Sequence, residues 1–216
     1  MTKDLSVSFD FVCEKHLGPV NDPVTPQQIK WLKKRCNGLI NEAEKINKSK
    51  SALGFLCLMA LIAYFGELVY GDVVASVDPK DRDTLTKKNK KFFCEFMNVE
   101  MSKAGRKYTS VSEHVYNQVR NGLAHCLMLF SKGAEIKRIA LSHNVAYSAT
   151  PKAGKASQWF KTEKLSDGKT VVTVLCASDL IQDMRAAISG LFNDKVMAER
   201  MVEYSRTHFP IIGINE

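Results

Sequence analysis

The chain has 216 residues, 45% of them apolar and 25% charged, and a formal net charge of +8. That much apolar side chain can fill one sizeable core, so a single domain over 1–216 is expected. The positive field favours phosphate-bearing partners, nucleic acid or anionic lipid, over basic ones and weakens as salt rises; the same balance also suits a soluble basic protein.

Six cysteines (Cys13, Cys36, Cys57, Cys94, Cys126, Cys176) stand singly, with no C-x-x-C pair. Several fall inside apolar periodic runs, where a thiol serves as a small hydrophobe, so a reduced, cytoplasmic protein is expected. The opening "MTKDLSVSFDF" has no apolar core of signal-peptide length, and no export signal is expected.

The first predicted helix follows Thr25, with Pro26 at its first position and Gln28 three residues after the cap, the pattern of a capping box. Ile29, Leu32, Cys36, Leu39, Ile40 and Ala43 recur every three or four residues and give one buried stripe. A second helix, from about Ser51 to Tyr70 and ended by Gly71, contains the uncharged run "SALGFLCLMALIAYFG". A bilayer span needs about 20 such residues, and Glu67 and Asp72 close this run early, so a buried core helix is expected rather than a membrane span. A third helix is predicted to begin at Asp78 and Pro79 and to carry the densest basic cluster, Lys87, Lys88, Lys90 and Lys91. Such a cluster is either a solvated face or a nucleic-acid contact.

A fourth helix is predicted over about Ser110 to Ser131. From Tyr108 to Ser131 the only formal charges are Glu113 and Arg120. On a wheel of about 100° per residue, Val111, Val115, Val119, Leu123, Cys126 and Phe130 face the core. Opposite them lie Ser110, His114, Asn117, Gln118, Asn121 and His125, polar and uncharged unless histidine is protonated. A solvated face in this lysine-rich chain would carry charges. An uncharged polar one suits a cleft or interface, where unpaired charge is expensive to bury. His114 and Asn117 are therefore candidate nucleic-acid contacts alongside the four lysines.

Beyond it, "EIKRIALSH" alternates weakly, and "WFKTEKLSDGKTVVTVLC" reads as two strands about an Asp167–Gly168 turn. Ser178 is a candidate cap for a last helix that breaks near Gly190 or Asn193 and continues toward His208. The expected architecture is mainly α: a helical core over about 25–131, a β-hairpin insertion over about 134–177 and a C-terminal helix over about 178–208. "GKT" at 168–170 lacks the earlier glycine of a phosphate loop, Glu163 standing in its place, and the Cys/His residues lack metal-ligand spacing. No metal and no cofactor are expected. Trp159, beside a small basic loop, could stack on a base.

An imidazole titrating near neutrality beside a guanidinium suffices for metal-free RNA cleavage, in which the neighbouring 2′-hydroxyl is the nucleophile. The residues "VYNQVRNGLAHCLMLF" resemble the R-N-x-x-x-H signature of the HEPN superfamily (higher eukaryotes and prokaryotes nucleotide-binding). The apolar helix "LCLMALIAYFGELVYG", ending in acidic Glu67, is similar to the family's preceding helix, and the likeness covers about 51–131. It implies a dimerising helical bundle that joins two motifs in one cleft. In active members it implies a metal-independent endoribonuclease of toxin–antitoxin, phage-defence or RNA-processing systems, with an antitoxin or regulatory protein as a possible partner and no membrane. On that resemblance Arg120 binds the scissile phosphate, His125 transfers the proton, Asn121 orients the pair and Glu67 positions Arg120. One departure is Leu127, where a major toxin branch has tyrosine. Other members are inactive and serve as binding modules, the competing expectation here.

Overall fold

The computed structural model describes residues 17–19, 21–48, 52–71, 82–105, 108–109, 111–120, 137–142, 162–164 and 171–208. Helix α1, Pro26–Asn47, opens on the expected capping box. The Gln28 N–H donates to Thr25 Oγ1 at 3.4 Å, and the Thr25 N–H donates to Gln28 Oε1 at 2.7 Å. Two of the amides that a helix start leaves without partners are thereby satisfied. Leu32, Cys36, Ile40 and Ala43 form its buried stripe, while Ile29 and Leu39 flank it half-buried. At its end buried Asn47 donates to the carbonyls of Ala43 and Gly54 at 2.9 and 3.0 Å, tying the chain's reversal to the next helix.

Helix α2, Ala52–Tyr70, is long and apolar enough to cross a membrane, yet half of its most apolar stretch is buried inside the fold. Phe55, Leu58, Met59, Ile62, Phe65, Leu68 and Val69 are all buried. The elements around it explain an apolar surface on several sides: α1, then α3 (Arg82–Glu95), the later α5 (Ala177–Asn193) and α6 (Lys195–His208), and the segment 115–120. Gly66 marks the closest approach. A Cβ there would lie 2.4 Å from the Phe92 carbonyl oxygen of α3. At Gly71, just past α2, it would meet the Tyr204 ring of α6.

The expected start of α3 at Asp78 and Pro79 lies outside the described residues. Its end differs from a plain helix. The chain widens over Phe96–Glu100, where the Met101 N–H donates to the Phe96 carbonyl five residues back, then tightens over Met101–Ala104 and stops at Gly105, whose φ is 106°. The widening turns Glu100 inward to 4% exposure, where it accepts from Tyr70 Oη at 3.0 Å and pairs with Lys103 at 2.6 Å. Burial first, then the Glu100 charge, push the Tyr70 hydroxyl above its usual range.

Helix α4 begins as one turn, Ser112–His114, and runs on over Val115–Arg120 with wide turns, where a regular α-helix was expected; the expected continuation to Ser131 lies outside the described residues. The described strands, β1 (Lys137–Ser142), β2 (Thr162–Lys164) and β3 (Val171–Cys176), form a sheet in the order β1-β3-β2. β2 runs antiparallel to β3, on either side of the Asp167–Gly168 position, itself outside the described residues, and β1 pairs with β3 in parallel. The apolar strand "VVTVLC" therefore takes the centre, an arrangement that the spacing of the segments does not reveal.

α5 starts at Ala177 with Cys176 as its cap residue. Ser178 is not the cap but lies in the first turn, its Oγ 3.0 Å from Cys176 Sγ. The break falls at Asp194 rather than at Gly190 or Asn193, because the Asp194 carboxylate accepts the Met197 N–H at 3.2 Å and so starts α6. In the last turn of α6, Arg206 donates to the Leu17 and Asp22 carbonyls and to Gln28 Oε1 at 2.7, 2.6 and 2.9 Å, clamping the segment before α1.

Two substitutions test the close α2–α3 contact. Gly66→Ala should lower unfolding free energy in urea by about 3 kcal/mol, the upper part of the overpacking range. Gly38→Ala, in α1 with nothing within 4 Å of an added Cβ, should raise it by up to about 1 kcal/mol. A third test uses Cys36, whose fully buried thiol is pushed up from 9.0 to about 12 by desolvation. Between those values the folded chain keeps a proton that the unfolded chain releases, so stability falls as pH rises, by up to about 1.4 kcal/mol per pH unit from this group. The Cys36→Ala protein, though less stable at pH 7, should show a correspondingly flatter decline between pH 9 and pH 11.

Candidate nucleic-acid and phosphate site

The motif begins on α4, whose side facing the core is held by Val111, Val115 and Val119, all buried as the wheel predicts. Leu123, Cys126 and Phe130 of that row lie outside the described residues, as do Ser110, Asn121 and His125 of the polar row. Within that row Asn117 is exposed, and His114 and Gln118 are half-buried. The wide turns over Val115–Arg120 rotate less per residue than an α-helix, so the wheel's angles do not carry forward unchanged from Arg120 to the positions after it.

Arg120 is half-buried, and its guanidinium carbon stands 5.3 Å from the centre of the Tyr116 ring. Spacing explains the meeting, since residues four apart are neighbours on one helix face. Tyr116 is only 2% exposed and packs edge-on against Phe93 of α3 at 5.3 Å between ring centres. The R-N-x-x-x-H motif does not itself single out Tyr116. The signal was present in the aromatic four residues before the motif arginine, but core aromatics are too common for that spacing alone to single it out.

The basic cluster reaches the same helix at one point. Lys90 Nζ lies 3.2 Å from Glu113 Oε2, joining α3 to α4, and Lys91 stands 3.9 Å from Glu95 on its own helix. Lys88 lies over the Phe92 ring at 5.6 Å, and Lys87 is exposed. Both ion pairs are partly solvated, so each is weak and open to competition by phosphate. Burial first holds the Tyr116 hydroxyl above its usual range, against the opposing charges of Arg120 and Lys90, while a Cys94 thiolate pushes it further up.

Glu67, near the end of α2, accepts a hydrogen bond from Tyr204 Oη of α6 at 3.4 Å, and the Tyr204 ring stacks on His208 at 4.3 Å. Among the described residues no three His, Cys, Asp or Glu side chains gather as a metal site. Cys36, Cys57 and Cys94 are not in disulfides.

The electrostatic placement of Tyr116 has a direct check. In ¹³Cζ-tyrosine spectra its titration should move to higher pH in Arg120→Ala, and by less in Lys90→Ala; an unmoved signal in both would refute the arrangement. Comparison of the chain with protein-family models, with curated proteins and with solved structures finds no match.

Proposed function

We propose that the chain is a HEPN-like helical bundle with a β-hairpin insertion, acting as a metal-independent endoribonuclease and working as a homodimer. The observation that carries this reading is Arg120, the arginine of the R-N-x-x-x-H series. It lies half-buried over an aromatic ring, on the helix that Lys90 joins to the basic cluster. A guanidinium so placed suits a phosphodiester, which it can grip through paired N–H donors.

In this reading His125 takes the proton from the RNA 2′-hydroxyl, whose oxygen attacks the adjacent phosphorus. The bond to the 5′-oxygen breaks, and the products carry a 2′,3′-cyclic phosphate and a 5′-hydroxyl. Arg120 offsets the charge that grows on the phosphoryl oxygens, and Asn121 orients the pair. Glu67 is the acidic residue near the end of the preceding helix that the family pattern calls for. Lys87, Lys88, Lys90 and Lys91, with His114 and Asn117, guide the strand through contacts that weaken with salt.

The test is one incubation of end-labelled RNA with the protein and excess chelator. Cleavage with cyclic phosphate ends is expected, falling at least about a hundredfold in Arg120→Ala and in His125→Ala. Salt-sensitive binding without products would instead favour a non-catalytic module that holds nucleic acid, and variants that cut as fast as the parent would remove the nuclease reading.

A further inference from the structure

We propose that Tyr116 is a positioning residue whose ring, braced by Phe93, seats the Arg120 guanidinium for a bound phosphodiester. This rests on the endoribonuclease reading above. Three observations support it. The guanidinium stands over the ring at 5.3 Å. The ring is 2% exposed and packed edge-on to Phe93, itself fully buried, so it has little room to swing aside. α3, which carries Phe93, also meets α4 at the Lys90–Glu113 pair, seven residues before Arg120.

Arginine is long and loses much rotamer freedom when a substrate must fix it. A cation resting on a buried ring has given up part of that freedom beforehand. A guanidinium can lay its flat face on a ring while its hydrogen bonds run in the plane, so a ring contact and a phosphate contact are compatible. The hydroxyl of Tyr116 has no part in this, and the aromatic face has the whole of it. Phenylalanine should therefore replace tyrosine, and an aliphatic side chain should not.

Three variants separate the possibilities: Tyr116→Phe, Tyr116→Leu and Arg120→Ala. In single-turnover RNA cleavage Tyr116→Phe should stay within about twofold of the parent. Tyr116→Leu should lose about tenfold in the cleavage rate at saturating RNA, with a much smaller change in KM. In ¹⁵N spectra of the arginine side chains, the Arg120 Nε–Hε signal, assigned by its loss in Arg120→Ala, should carry a ring-current shift in the parent and in Tyr116→Phe and lose it in Tyr116→Leu. Should Tyr116→Leu lack native circular dichroism, Tyr116→Met, unbranched at Cβ and without a π face, takes its place. An inactive Arg120→Ala beside a fully active Tyr116→Leu overturns this inference alone. An Arg120→Ala protein that cuts at the parent's rate overturns the nuclease reading and this inference with it, and an Arg120 signal unchanged in Tyr116→Leu overturns the seat itself.

Discussion

The packing of the described helices is organised around covering α2. Between Ala52 and Glu67 the helix has no charge, and water cannot be left against most of it without losing roughly 1.5 to 3 kcal/mol for each large apolar side chain. One partner helix covers only a stripe. α1, α3, α5, α6 and the segment 115–120 therefore gather around it, and each contributes its own apolar row: Leu32, Cys36 and Ile40 from α1, Phe93 and Phe96 from α3 and its extension, Val115 and Val119 from the segment 115–120, Leu180, Met184 and Ile188 from α5, and Met201 and Val202 from α6. The close packing at Gly66 and Gly71 is part of the same requirement, because neighbours that must cover several sides of one rod approach it where its side chains vanish.

Such a core leaves polar groups to be satisfied at its margins, and they are not equal. Tyr108 Oη donates to the carboxylate of Asp183, which is 2% exposed in α5, at 2.5 Å. A buried hydrogen bond contributes about 0.5 to 1.5 kcal/mol net, and removing one partner costs the desolvation of the other. Glu100 with Tyr70 and Lys103 belongs to the same class. Arg185, by contrast, meets Glu44 at 2.5 Å and Asn41 at 2.8 Å on the open side of α1 and α5, where solvent reduces such a pair to about 0 to 1 kcal/mol. The buried bonds select how the helices register; the surface ones add little.

What could be read in the sequence was what depends on near neighbours in the chain. The Thr25–Gln28 capping box, the α1 stripe, the bounds of α2 and the valine row of α4 each rest on residues within a turn or two of one another, and they stand where the pattern puts them. The wide turns over Phe96–Glu100 and Val115–Arg120 were not legible. The first brings Glu100 to Tyr70, 30 residues away, and nothing in its local composition announces that partner. Likewise the parallel pairing of β1 with β3 is a choice among registers that span 143–170, and the cap at Cys176 depends on where β3 ends. Of the candidate site, Arg120 and the lysines could be picked out by type, whereas Tyr116 could be found only once α3 was laid against α4.

The core and the proposed chemistry meet at Tyr116. Phe93 is buried because α3 must cover α2, and Tyr116 is buried because α4 must lie on both. Arg120 then stands over a ring whose own position is fixed by hydrophobic packing. In the proposed site such a support suits a cation meant for a phosphate, because an aromatic face attracts the guanidinium without itself adding a negative charge. The sequence from Tyr108 to Ser131 adds a single acidic residue, Glu113, which pairs with Lys90 of α3.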